Sequence, residues 1–208
     1  MMSPPDRHAA LTQYRRRAPL YDLELLAFEP VRRRAVEALQ LSLGDTVLDI
    51  GCGTGLSLPL LAAAVGPKGR VVGIEQCPEM IGRARERVVA GGWKNVSLLE
   101  APAEGATLKG RADAALFVFV HDVLLREDAV RNIVGHLGRG ARIAATGLQW
   151  APIWALPVNL FVLGSALHSV TSLTALDRPW QGLVPHLAGL EVEPLMAGAV
   201  YLATGTIR

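Results

Sequence analysis

An apolar run carrying a single acid, Val47-Leu48-Asp49-Ile50, is followed at once by Gly51-Cys52-Gly53-Thr54-Gly55, and nothing else constrains this chain as tightly. The run reads as a buried strand that ends at a glycine turn. Residues 56–65 then read as a helix, with Pro59 tolerated only in its first turn. Strand, glycine turn and helix start in succession make a corner where backbone can approach a ligand closely and free amides can point at it. The spacing narrows the ligand. A dinucleotide fingerprint would need glycine where Leu56 stands, and a phosphate-cradling P-loop would end in Gly-Lys-Ser/Thr, which is missing here.

The pattern Asp49-x-Gly51-x-Gly53-x-Gly55 resembles motif I of the class I S-adenosylmethionine (SAM) dependent methyltransferases. Glu75, twenty residues beyond Gly55 at the end of the expected strand 70–75, strengthens the resemblance. A carboxylate there can accept both ribose hydroxyls of an adenosine group. The resemblance implies SAM as cofactor, held by Asp49, Gly51, Cys52, Gly53, Gly55 and Glu75, with Gln76, Met80, Ala103 and Val120 as further contacts. It also implies an α/β fold: a doubly wound, Rossmann-like, mostly parallel sheet of seven strands in the order 3-2-1-4-5-7-6, closed by a C-terminal antiparallel hairpin. One departure stands out. The family places an Asp for the adenine amino group just after strand three, where this chain has Ala101-Pro102-Ala103-Glu104. Pro102 occupies the Asp position, which leaves adenine recognition open between Glu104 and backbone groups.

A chain of 208 residues, half of them hydrophobic, can bury a full core, and one domain spanning 1–208 is expected. The net charge of +2 selects no class of partner. Cys52 and Cys77 have no metal-ligand company, so two reduced thiols and no metal are expected. The N-terminal residues lack the apolar core of a secretory signal, so a cytoplasmic protein is expected, with membrane association as a second option.

Residues 11–28 suggest two short amphipathic helical pieces broken at Pro19, and 30–40 a further helix opening on Pro30. Together, residues 1–40 read as an N-terminal helical lid, similar to the Y…YD segment of many small-molecule methyltransferases. That similarity makes Tyr14 and Tyr21 substrate contacts, with plain packing as the other reading. The arginine triplets 15–17 and 32–34 read as solvated faces, or as contacts to an acidic substrate or an anionic membrane. A helix over 78–89 would bury Met80, Ile81, Ala84 and Val88 and turn Arg83, Arg85, Glu86 and Arg87 to water.

Strand three is expected at 95–100 and strand four at 113–120, ending on His121-Asp122. In an open α/β sheet the binding crevice lies beyond the carboxyl ends of strands where their order reverses. His121 therefore falls at the crevice as candidate catalytic base or orienting group, with Asp122 beside it as a substrate-side residue. A helix over 127–137 and the turn Gly138-Arg139-Gly140 precede strand five at 141–147. No charged side chain occurs from Ile143 to Leu176, and residues 148–187 read as an apolar insertion on the substrate side, Trp150 being its candidate contact. The alternatives for this segment are a buried helix, or an apolar substrate wall or membrane-facing lid. Two final strands, 190–196 and 199–207, make the hairpin.

Methyl transfer to a small or lipidic acceptor by in-line displacement is the activity that the resemblance implies. Nucleic acid is disfavoured because no basic-aromatic stripe appears, and no N-P-P-Y-type motif follows strand four. The alternative is a SAM-binding regulatory or partner-stabilising protein on the same fold.

Overall fold

The computed structural model describes Asp22, residues 25–169 and residues 173–208. Tyr14, Tyr21 and the arginines at 15–17 lie outside the described residues. Seven strands, β1 (Thr46–Ile50), β2 (Arg70–Glu75), β3 (Val96–Glu100), β4 (Ala112–Val118), β5 (Leu137–Leu148), β6 (Leu187–Leu195) and β7 (Val200–Ile207), form one sheet. Its order is β3-β2-β1-β4-β5-β7-β6. The first five run parallel, and β7 pairs antiparallel with both β5 and β6. The fold is thus a doubly wound α/β sheet with an antiparallel C-terminal hairpin, as the sequence implied.

Alternation along the strands divides the core. Val47, Val71, Ala114, Leu116 and Ala144 face one layer, made of α1 (Glu29–Ala38), α2 (Leu58–Val65) and α3 (Pro78–Gly91). Their partners there include Ala35, Val36, Leu39, Leu58, Leu61 and Ala84. Leu48, Ile50, Ala115, Phe117, Ala145 and Tyr201 face the other layer, which holds the four-residue α4 (His121–Leu124), α5 (Glu127–Gly135) and a 3-10 turn at Gln181–His186. A third cluster forms beyond the end of β5. There α6 (Leu156–Ser169) places Val162 and Ala166 against Phe28, Val31, Leu148 and Val200.

Three boundaries differ from the sequence expectation, each for a local reason. β4 stops at Val118 rather than Val120, because Phe119 adopts φ 56° while its N–H still donates to the Thr146 carbonyl at 2.8 Å. The glycines expected as a turn before strand five lie inside β5 as an irregularity: Ala112 pairs Leu137, then Ala114 pairs Arg142. Gly140 absorbs the extra length at φ 78°. The apolar insertion is neither wholly core nor wholly exposed. The inner face of α6 is buried, whereas Ile153, Trp154, Leu156, Leu160 and Phe161 are exposed. The polar Asn159 is consumed within the insertion, where its side chain bonds the Ala151 N–H at 2.9 Å and the Ala151 carbonyl at 3.2 Å.

Two glycines test this packing in opposite directions. A Cβ on Gly182 would lie 2.3 Å from the backbone oxygen of Leu124, whereas one on Gly82, inside α3, meets nothing within 4 Å. In chemical denaturation, Gly182→Ala should cost about 1–3 kcal/mol through overpacking against an immovable carbonyl. Gly82→Ala should gain roughly 0.5–1 kcal/mol by lowering the entropy of the unfolded chain.

Candidate functional site

Gly51, Gly53 and Gly55 carry φ of 63°, 55° and 82°, so the turn after β1 uses backbone that side chains rarely tolerate. At Gly51 the restriction is also steric, since a Cβ would stand 2.4 Å from Cγ1 of Val120. The turn is tied to β2 through the Cys52 N–H, which donates to the Ile74 carbonyl at 3.0 Å. Glu75, leaving β2, closes the corner. Its carboxylate accepts from the Cys77 N–H at 2.7 Å and the Gly53 N–H at 3.1 Å. Burial raises the Glu75 carboxyl above the ordinary range, and the amides of Cys77, Gly53 and Gln76 oppose the rise. Burial, with Asp49 and Glu75 nearby, pushes the Cys52 thiol well up, so it is protonated and unreactive. Both cysteines are free and buried.

A cleft beside the turn is lined by Asp49, Gly51, Cys52, Gly53 and Thr54, by Leu56 and Ser57 at the start of α2, by Val118 and Phe119, and by Leu25 and Arg32. Asp49 shares its sheet face with Val47, toward the α1–α2 layer, and its side chain is buried. Among the described residues, its Oδ2 has no hydrogen-bond partner. Burial pushes its carboxyl up to about 7; Arg32 holds it lower than it would otherwise be, and Glu75 adds to the rise. Arg32 is the residue the sequence reading passed over. Of its triplet neighbours, Arg33 and Arg34 are 58% and 51% exposed, but Arg32 is only 3% exposed, and it pairs with Glu29 one helical turn away. The helical position of Arg32 beside Val31, Ala35 and Val36, all buried, is the signal that could have singled it out.

His121 is not where a base was expected. Because β4 ends early and Phe119 turns the chain, the imidazole enters the core between β5 and β7. Nε2 is 2.8 Å from the Leu148 carbonyl, and since a carbonyl only accepts, that nitrogen carries the proton. The ring meets Tyr201 edge-on and fills the space over Gly147, where a Cβ would stand 2.6 Å from Cε1. Burial holds its pKa below the usual histidine value. The expectation of a catalytic His121 is therefore corrected to a packing role that braces the ends of β5 and β7.

The remaining expected residues are scattered around the corner. Met80 is buried at the start of α3, and Ala103 is buried in a 3-10 turn after β3. Gln76 and Asp122 are half-buried. Glu104, the candidate for the missing adenine contact, pairs with Arg126 at 3.0 Å. Trp150 packs partly buried against the third cluster with its backbone N–H on the Leu176 carbonyl, whereas Trp154 is 80% exposed. The described side chains of residues 148–187 thus divide between a buried face and an exposed one. Among the described residues, no group of His, Cys, Asp or Glu could hold a metal ion, and no helix is long and apolar enough to cross a membrane.

Residues 47–140 match the family model described as a methyltransferase domain. Sheet order, glycine corner and this match are together those of a class I SAM-dependent methyltransferase domain, which is what the chain is similar to. The chain is 37% identical over 122 residues to aklanonic acid methyltransferase DauC of Streptomyces sp. strain C5, covering 57% of this chain and 55% of the relative. It is 48% identical over 64 residues to a protein-L-isoaspartate O-methyltransferase of Ignicoccus hospitalis, covering 31% of this chain and 30% of that one. The chain thus spans about half or less of the length of these curated relatives. Among solved structures, the N-methyltransferase NodS of Bradyrhizobium japonicum WM9 in complex with S-adenosyl-L-homocysteine (SAH) superposes with a TM-score of 0.68 at 19% identity, covering 95% of this chain and 98% of its own.

Two substitutions check the electrostatics and the correction. The folded pKa of Asp49, about 7, lies above the ordinary carboxyl value of 3.8. The stability this contributes is complete below the lower value and is lost as pH rises through the higher one. The melting temperature of Asp49→Asn relative to the parent should therefore climb from about pH 4 to about pH 7 and then level off. His121→Ala should lower stability by roughly 2–4 kcal/mol, by opening a cavity and orphaning a buried carbonyl. Affinity for SAH in the folded variant should stay within about twofold of the parent, because the ring lies outside the cleft.

Proposed function

We propose that this protein transfers a methyl group from SAM to a small, apolar organic acceptor that brings its own nucleophile. The observation that carries the cofactor assignment is the unpartnered, buried Oδ2 of Asp49 beside the glycine corner. A buried carboxylate without a partner is costly, and a ligand cation there would offset the cost. The donor set fits the cofactor piece by piece. Asp49 suits an ammonium, Arg32 a carboxylate, Glu75 a pair of ribose hydroxyls, and the glycine turn permits close approach. Gly55, Gln76, Met80, Ala103 and Val120 remain as further cofactor contacts in this reading.

When bound, SAM supplies an electrophilic methyl group on a sulfonium. This chain's residues then need to orient the acceptor in line and keep water out, which by order of magnitude supplies several kcal/mol of the barrier. Phe119, held at φ 56° in the cleft wall with its ring 4.8 Å from Phe28, offers an apolar surface for that purpose. With His121 committed to Leu148, the acceptor is one already nucleophilic near neutral pH: a carboxylate, thiolate, enolate or amine. Tyr14, Tyr21, Asp122 and Trp150 are proposed to border it, with residues 1–40 and 148–187 as its cover within one domain. The exposed apolar side chains of α6 and the loop before it favour an apolar or lipidic acceptor and leave a peripheral membrane encounter open. The reported relatives are named for a small acid and for protein isoaspartate, so they support methyl transfer without fixing the acceptor.

Calorimetric titration with SAM and SAH tests the assignment. Glu75→Ala should weaken SAH by about 1.5–3 kcal/mol through loss of charge-assisted hydrogen bonds. Because a cationic amino group needs Asp49 ionised and its pKa is about 7, SAH affinity should fall about tenfold from pH 8 to pH 6, and Asp49→Asn should flatten that slope. Binding indifferent to both substitutions and to pH would reject the cofactor site. Tight SAM binding with no SAH released over a metabolite library would favour the regulatory, non-transferring alternative.

A further inference from the structure

The middle of the glycine turn is also a fastening point. Thr54 is buried, and its hydroxyl donates to Oδ1 of Asp22. The other oxygen of that carboxylate, Oδ2, accepts from Nη2 of Arg87 on α3. Nε of the same guanidinium donates to the Thr54 carbonyl at 3.0 Å. Three chain segments are thereby closed into one ring: the start of the described chain, the glycine turn and the third helix. The sequence pattern placed Arg87 on a solvated face with Arg85. Arg85 behaves so, pairing with the exposed Glu100, whereas Arg87 is turned inward to the ring. Three residues beyond Asp22, Leu25 lines the cleft beside Asp49 and Gly53.

We propose that the Asp22–Thr54–Arg87 ring is a latch that holds Leu25 in the cleft beside the glycine turn, and so controls how fast the cofactor enters and leaves. This rests on the cofactor reading above. Charge-assisted bonds to both oxygens of one carboxylate make the ring directional and cooperative. The side chains of Asp22 and Arg87 are nevertheless 38% and 31% exposed, so water competes for them and the ring can open without unfolding the core. Asp22 and Arg87 act as positioning residues through Leu25 and touch no reacting atom.

A latch and a ligand contact differ in kinetic signature. Breaking a contact speeds release alone and weakens affinity, whereas breaking a latch that must open in both directions speeds entry and release together. The experiment uses the full chain and the variants Asp22→Asn, Arg87→Ala and Arg87→Lys, with SAH rates by stopped flow and hydrogen exchange of amides 26–28 in ligand-free protein. Asp22→Asn and Arg87→Ala should each raise exchange and both SAH rate constants about fivefold, with Kd within about threefold, and Arg87→Lys should recover most of the slow rates. Exchange and rates within about twofold of the parent in all variants would overturn the latch. Faster release with unchanged entry would overturn it too, by making these residues ligand contacts. Should the parent bind no SAH, the cofactor reading fails separately, and unchanged exchange in the variants would by itself reject the ring as a fastening.

Discussion

A carboxylate is buried under the glycine turn without a partner for one of its oxygens, and much of the molecule is arranged around that fact. Strand alternation fixes Asp49 on the α1–α2 face of β1, in a row otherwise filled by apolar side chains. Desolvation raises its pKa to about 7, and Arg32, itself buried and shared with Glu29, opposes the rise. Glu75 across the corner adds to the strain. Two buried acids in one place cost stability unless something cationic arrives. A local rule broken at the carboxyl end of a central strand marks a binding site.

The early end of β4 decides what kind of chemistry the site can do. Two residues fewer of strand send Phe119 into the cleft wall and His121 into the core. The positive φ at Phe119 is retained because the residue is held from two sides, by the Thr146 carbonyl and by the ring of Phe28. The described walls of the cleft are thus apolar at Val118 and Phe119 and charged at Asp49 and Arg32.

The corner and the Glu75 carboxylate were legible because each rests on local pattern, a glycine cluster and a fixed spacing, and the sheet order came with the family resemblance that those residues carry. β2 was bounded to the residue, since Gly69 before it and the loop after Glu75 punctuate it plainly. What was not legible depends on long-range contact. Arg32 stands in a run of three identical residues, and only its packing against the sheet separates it from Arg33 and Arg34. Neither the Phe119 turn nor the inward Arg87 has a propensity signal, because a bulky residue at positive φ and a half-buried, paired guanidinium are both imposed by partners distant in sequence. The Gly138-Arg139-Gly140 segment misled for a related reason: glycines signal turns and bulges alike, and pairing with β4 selected the bulge.

A crystal structure of the protein with SAH would test the central claim most directly. The account predicts the ligand at the glycine corner, its ammonium on Asp49 Oδ2, its carboxylate toward Arg32 and its ribose hydroxyls on the Glu75 carboxylate in place of the Gly53 amide. SAH seated elsewhere, or Asp49 Oδ2 still unpartnered with ligand bound at the corner, would contradict it.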